Sequence, residues 1–132
     1  MAVPPAGLLD TSVFIATEAG RAVGALPAQL ATSVVVVAEL SVGVLTASDP
    51  DIQVRRQTTL DGTGDLIVFP IDESVAQVWA DMRAHLAESG RRVNVNDLWI
   101  AATAAANRLP VVTQDADFDP LEGVAGLEVV RV

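Results

Sequence analysis

The stretch LIVFPIDESVAQVWADMRAHLAESG, from Leu66 to Gly90, decides the fold. Its first four residues, Leu66-Ile67-Val68-Phe69, form an uninterrupted apolar run that stops at Pro70, which is how a short strand buried on both faces reads. Beyond it Val75, Val78, Trp79, Met82 and Leu86 recur at helical spacing. Asp72 or Ser74 can cap the start of that helix, and Gly90 supplies its stop. A strand followed at once by an amphipathic helix is the unit from which a parallel sheet, covered on both faces, is assembled.

Outward from this stretch the same alternation continues. Leu8-Leu9 leads into Asp10, Val111-Val112 ends at Thr113, and Leu127 to Val130 forms another apolar run, so each predicts a short strand. Residues 34–47 carry two signals: Val34-Val35-Val36-Val37 favours a strand locally, whereas Val37, Leu40 and Val44 follow helical spacing. The reading adopted is a short strand over Ser33 to Val35 that turns into a helix carrying Glu39. A further helix is predicted from Asp97 through Ile100, Ala101, Ala104 and Ala105 to Arg108, with Asn96 or Asp97 at its N-terminus and Pro110 ending it. No linker or repeat divides the 132 residues, so residues 1–132 are expected to form one α/β domain with a mainly parallel sheet.

Composition narrows the chemistry. With 51% hydrophobic and 19% charged residues the chain is globular rather than disordered. It has no cysteine and one histidine, His85, which excludes disulfides, thiolate nucleophiles and multi-histidine metal centres. All eight basic residues are arginines, so chemistry that needs a lysine amine is excluded as well. Two Trp, three Phe and no Tyr are too few for an aromatic platform, and a net charge of −9 opposes simple electrostatic binding of nucleic acid. A polyanionic substrate would need bridging cations. The charge-free run between Arg21 and Glu39 is broken by Pro27, Gln29, Thr32 and Ser33, which argues against a membrane span. The segment MAVPPAG has no basic region followed by an apolar one, so the expectation is no signal peptide and a cytoplasmic location.

In open α/β sheets ligands bind beyond the carboxyl ends of the strands, which draws attention to the acids placed there. Asp10 follows Leu8-Leu9, Asp97 follows Val93-Asn94-Val95-Asn96, and Asp115 and Asp117 follow Val111-Val112-Thr113, while Glu39 sits among Val36, Val37, Ala38, Leu40 and Val42. Each has an ordinary structural alternative: Asp10 and Asp97 as helix caps, Asp115 and Asp117 in an Asx-type turn, Glu39 as a partly exposed helix residue. If the carboxylates converge, their repulsion needs an offsetting charge, and with no lysine in the chain a hard divalent cation such as Mg²⁺ or Mn²⁺ suits the oxygen donors.

Four segments together carry a resemblance. Leu8-Leu9-Asp10-Thr11-Ser12, Ala38-Glu39-Leu40, Asp97-Leu98-Trp99-Ile100-Ala101-Ala102-Thr103-Ala104 and Val112-Thr113-Gln114-Asp115-Ala116-Asp117-Phe118 resemble, in order and over nearly the whole chain, the signature of PIN-domain nucleases, specifically VapC-type toxins of toxin–antitoxin pairs. That resemblance implies a three-layer α/β/α sandwich and a Mg²⁺-dependent endoribonuclease, with Mn²⁺ as an alternative ion. It implies hydrolysis of RNA phosphodiester bonds by metal-activated water, and products with a 5′ phosphate and a 3′ hydroxyl. It carries an acidic quartet onto Asp10, Glu39, Asp97 and Asp115, with Asp117 as a fifth candidate, and hydroxyl positions beside the site onto Thr11, Ser12 and Thr113. It further implies a cognate VapB-type antitoxin that presents arginine to the cleft, and a homodimer. Two departures stand out: Val36 occupies a position three before the glutamate where many relatives have a hydroxyl residue, and both Asp115 and Asp117 are offered where one direct ligand is expected.

Other readings are weaker. His85 flanks the apolar stripe of a well-formed helix, where a structural role outweighs that of a general base. Arg55-Arg56 and Arg91-Arg92 can contact phosphates, although ordinary solvation is the simpler reading, and the second pair lies a few residues before Asp97. A Mg²⁺-dependent phosphoryl-transfer domain of the receiver or haloacid-dehalogenase type needs a lysine that this chain lacks. A noncatalytic interaction protein, whose acidic cleft binds a basic partner, differs from the nuclease only in whether RNA is cut.

Overall fold

The computed structural model describes residues 3–132; Met1 and Ala2, the start of the segment read above for a leader, lie outside the described residues. In chain order the elements are β1 (Ala6–Leu9), α1 (Thr11–Glu18), β2 (Gln29–Ser33), α2 (Val34–Leu45), α3 (Pro50–Gly62), β3 (Ile67–Phe69), α4 (Glu73–Ser89), α5 (Val95–Ala106), β4 (Val111–Thr113) and β5 (Val129–Arg131). The five strands form one sheet in the order β3-β2-β1-β4-β5, and every neighbouring pair is parallel. Parallel pairing forces each connection to cross over a face of the sheet, which is where the helices go.

Strand periodicity divides the core into two layers. Leu8 and Val111 pack with Val36, Leu40, Met82 and Ile100 on one face, whereas Leu9 and Val112 pack with Val13 on the other. The result is the α/β/α sandwich. Leu8, Val111 and Val112 are fully buried, and each such side chain stabilises the fold by about 1.5–3 kcal/mol relative to exposure. Gly7 permits the close approach of β1 and β4, because a Cβ there would lie 2.7 Å from Val112 Cγ2 and 3.1 Å from Pro27 Cγ.

The helix of the stretch that opened the sequence reading folds as predicted, but its strand is not buried on both faces: β3 spans Ile67–Phe69 at the edge of the sheet, with Ile67 and Val68 exposed. Asp72 accepts a hydrogen bond from the Val75 N–H at 3.0 Å, Val75, Met82 and Leu86 are buried, and Gly90 ends α4 with φ of 66°. The reading of Ser33 to Val35 as a strand is corrected, since β2 ends at Ser33 and Val34 and Val35 already belong to α2. The sheet register runs out at the pair Ser33–Phe69, and the Ser33 hydroxyl caps the helix through the Val35 N–H at 3.0 Å, so tertiary pairing overrides the strand preference of the valines.

α5 begins at Val95, two residues before the predicted start, because Asn94 accepts from the Asn96 N–H at 2.9 Å. Neither Asn96 nor Asp97 is therefore the cap. The helix also stops earlier, at Ala106, and Arg108 adopts a positive φ of 56° in the turn leading to Pro110. The last strand spans Val129–Arg131 rather than Leu127–Val130, and Leu127 is buried in the core instead. Trp79 of α4 stacks on Trp99 of α5 with ring centroids 4.8 Å apart and planes 17° from parallel, which ties the two helices together. Among the described residues no helix is long and apolar enough to cross a membrane.

Candidate active site

Chain order and strand order part company around β1. β1 connects to β2 on one side, while β4 lies on its other side, and the divergence of the two connections opens a crevice at the carboxyl ends of the central strands. Asp10 stands directly after β1 and Thr113 is the last residue of β4, so both enter that crevice from adjacent strands.

Hydroxyl groups fix the carboxylates there. Asp10, 3% exposed, caps α1 by accepting from the Ser12 N–H at 2.9 Å, and the same oxygen accepts from the Ser12 hydroxyl at 2.5 Å. Its other oxygen accepts from the Thr113 hydroxyl at 2.9 Å. Ser12 Oγ in turn accepts from the Gln114 N–H at 2.9 Å, and Thr113 Oγ1 from the Asp115 N–H at 3.0 Å, so the loops after β1 and β4 are pinned to each other. Glu39, half-buried on α2, accepts from the Thr11 hydroxyl at 2.6 Å.

Asp97 occupies the first turn of α5, and because Asn94 does the capping its side chain is not used to close the helix. Burial pushes its carboxyl up from 3.8 to about 7, and Asp10, Asp117, Glu39 and Asp115 add to the rise through their negative charge. Burial likewise raises Asp10, against the pull of its hydrogen bonds from Ser12 and Thr113, and Asp115 raises it further. The structure thus places the other four sequence-predicted carboxylates within electrostatic reach of Asp97, with Asp115 and Asp117 both exposed. A cavity of about 350 Å³ opens beside Asp97 and Asp117 and also touches Arg92, Val93 and Asn94. His85 is exposed on α4 and lines no part of it.

Among the described residues no arginine lies within ion-pair distance of these five carboxylates, although Arg92 lines the cavity beside Asp97 and Asp117 and Arg56 lines one beside Glu39. The one ion pair among the described residues joins Arg131 to Asp119 at 3.9 Å and includes none of the five. As they stand, no three acidic or imidazole side chains among the described residues are arranged to hold a metal ion. The donor set consists of carboxylates backed by Ser and Thr hydroxyls, and its unrelieved repulsion fits a hard divalent cation rather than a soft one.

Two supporting residues escape a reading of the sequence. Asn94 was hidden because three neighbouring residues could cap equally well. Gln114 donates through its side-chain amide to the carbonyls of Ala22 and Val132, both at 3.1 Å, and so braces the β4 loop from below. A lone glutamine after a strand gives no sequence signal of such a role.

Residues 7–123 match the model of the PIN domain. The chain is 55% identical over 131 residues to Ribonuclease VapC5 of Mycobacterium tuberculosis, covering 98% of this chain and 97% of that protein. It is 40% identical over 130 residues to Ribonuclease VapC4 of the same organism, covering 95% of each. Among solved structures, VapBC-5 of Mycobacterium tuberculosis, a member of the VapBC family of toxin–antitoxin systems, superposes with a TM-score of 0.89 at 53% identity, covering 98% of this chain and all of that one. The acidic crevice, the sheet order and these likenesses agree, and the chain belongs to the PIN-domain family, in its VapC branch.

Proposed function

We propose that this protein is a Mg²⁺-dependent endoribonuclease toxin restrained by a VapB-type antitoxin. One observation carries the reading: Asp97 is driven to about 7 by burial and by the charges of Asp10, Asp117, Glu39 and Asp115, none of which is ion-paired among the described residues. The relatives named as ribonucleases and the match to a toxin–antitoxin complex supply the substrate class and the partner class.

Asp10, Glu39, Asp97 and Asp115 or Asp117 would hold one or two Mg²⁺ ions, with Mn²⁺ as a substitute. When bound, the ion supplies Lewis-acid polarisation of the phosphodiester and a water nucleophile at neutral pH. The chain's own residues set the stage. Ser12 and Thr113 hold both oxygens of Asp10, and Thr11 holds Glu39, so the rotamers of two ligands are chosen before the ion arrives. With its carboxyl raised to about 7, Asp97 is partly protonated near neutrality and would have to lose that proton to serve as a ligand. With five carboxylates offset by two divalent ions the site approaches neutrality, which lets a phosphodiester enter a protein of net charge −9. The antitoxin, by the same charge logic, presents a basic group to the crevice and competes with both ion and RNA. A homodimer and a cytoplasmic location belong to this reading.

The test is cleavage of a mixed RNA panel by antitoxin-free protein in Mg²⁺, in Mn²⁺ and in chelator, beside Asp97→Asn. Cleavage with either ion, abolished by chelator and by the substitution, is expected. RNA left whole in both ions would leave a noncatalytic acidic cleft as the better description.

A further inference from the structure

A cavity of about 600 Å³ lies apart from the acidic carboxylates. It lies between the C-terminal half of α4 and the start of α5, and it falls in the size range of sites that seat small ligands. Three of the chain's eight arginines, Arg83, Arg91 and Arg92, line it, and no acidic residue does. All three are exposed, and among the described residues none is within ion-pair distance of a carboxylate. Guanidinium groups free of internal partners, gathered at one place in a protein of net charge −9, form a local anion site. Trp79, Leu86, Val93 and Leu98 give the cavity an apolar wall. On that wall the Trp79 indole Nε1–H is hidden from solvent and has no acceptor.

The cavity also adjoins the acidic crevice. Arg92 and Val93 line both it and the smaller cavity over Asp97 and Asp117. A strand whose phosphodiester sat at the carboxylates would pass over Arg92 and reach Arg91 and Arg83 with its next phosphates. Its bases would then face the apolar wall. A sequence-tolerant nucleic-acid groove combines these two features, cationic contacts along the backbone and a surface on which bases lie.

We infer that the α4–α5 cavity is a substrate-positioning subsite, which binds single-stranded RNA on one side of the scissile phosphodiester through Arg83, Arg91 and Arg92. The inference rests on the ribonuclease reading for the identity of the strand. Its arginines are positioning residues, and the expected effect of removing them falls on KM rather than kcat.

The experiment compares two triple variants of equal charge change. One is Arg83→Gln/Arg91→Gln/Arg92→Gln in the cavity; the other is Arg21→Gln/Arg55→Gln/Arg108→Gln, at exposed positions elsewhere. Each is made in the wild-type and in the Asp97→Asn background, and melting curves establish that each folds. The probe for binding is a fluorescein-labelled, randomised single-stranded RNA 12-mer, titrated with the Asp97→Asn proteins in Mg²⁺ at several salt concentrations. The cavity triple is expected to bind roughly tenfold or more weakly and to lose about 2 from its log–log salt slope, since each single-strand phosphate contact contributes about 0.7. The control triple is expected to stay within about twofold. In the wild-type background the cavity triple is expected to raise KM for RNA with kcat changed far less.

Equal losses in the two triples would show that only net charge is felt, and would overturn the subsite. Intact RNA affinity in the cavity triple, together with a fall in its mass in solution, would assign the cavity to contact between copies of the chain and overturn it equally. Mg²⁺-dependent cleavage by the parent with no effect of the cavity triple sinks the subsite alone. Arginine-dependent RNA binding by a parent that cuts nothing sinks the nuclease reading and, with it, the substrate-positioning role, leaving only an RNA-binding cavity.

Discussion

The acidic crevice and the arginine cavity meet at Arg92 and Val93, yet they are built on opposite principles. In the crevice Asp10, Glu39 and Asp97 are at least partly buried, and the first two are held by hydroxyl groups at the start of α1 and the end of β4. In the cavity the charges are exposed, make no internal pairs and come from one helix and the loop after it. Fixed carboxylates suit an ion, which tolerates little error in the placement of its ligands; mobile guanidinium groups suit a polymer whose sequence varies. The crevice is therefore sensitive to single atoms and the cavity to summed charge.

Substitutions can break or sharpen that contrast. The largest effect is expected at Asp97. Asp97→Asn should lower kcat for RNA by at least about 100-fold, the upper end of what even indirect partners of a metal site cost. The same variant should be as stable as wild type or more so in chelator, because it removes a repelled charge, and should gain much less from Mg²⁺. For comparison, an ion at 100 times its dissociation constant adds about 2.7 kcal/mol to wild type. Equal Mg²⁺-induced shifts in melting temperature for the two proteins would show that Asp97 holds no ion.

Ser12 joins Asp10 to the Gln114 backbone, so Ser12→Ala removes a support rather than a ligand. A loss of about 10–100-fold in turnover or metal affinity is expected, with about 1–3 kcal/mol of stability from the polar groups left unpaired. Activity and melting temperature both unchanged would mean that the hydroxyl is ornamental.

The pH dependence of stability should separate the two regions again. Asp97 binds its proton more tightly when folded than when unfolded, so its contribution is fully present below pH 3.8 and is lost as pH rises through about 7. In chelator the melting temperature should fall across that window, and Asp97→Asn should flatten the fall. Mg²⁺ should oppose it, stabilising more as pH rises, because binding then displaces fewer protons. A chelator profile identical in wild type and variant would remove Asp97 as its cause.

The smallest effect belongs to His85, exposed on α4 and outside the crevice. His85→Ala should change stability by no more than about 0.5 kcal/mol and leave RNA turnover as it was. A large loss of turnover with folding intact would bring an imidazole into the chemistry.

How far the sequence foretold these regions follows from how each is encoded. The strand and helix of residues 66–90 were legible because a continuous apolar run and a 3.6-residue stripe sit side by side, with a cap and a glycine at the ends. α3 was not, since none of its residues is buried and it leaves no stripe to see. α1 is eight residues long and buries only Val13 and Ala16, which is too little periodicity to register. At Val34 to Val37 local preference pointed to a strand, and the end of the sheet register decided for a helix. The five carboxylates could be gathered on paper because each stands beside an apolar run at a place where parallel sheets bind ligands. Their hydroxyl partners were half visible as neighbours in sequence, but the bond from Thr113 to Asp10 spans 103 positions and exists only through the pairing of β1 with β4. Arg83 lies eight residues before Arg91, and only the packing of α4 against α5 brings the two to one cavity.

The stacked pair Trp79–Trp99 gives the molecule an optical signature of its own. These are the only two tryptophans, and there is no tyrosine, so the near-ultraviolet absorption and the intrinsic fluorescence arise almost wholly from one coupled pair of indoles. One ring lines the arginine cavity, and the other stands two residues beyond Asp97 on the same helix. A change of a few degrees between α4 and α5 alters the exciton coupling of the pair, so near-ultraviolet circular dichroism registers loading of the crevice or filling of the cavity without any label.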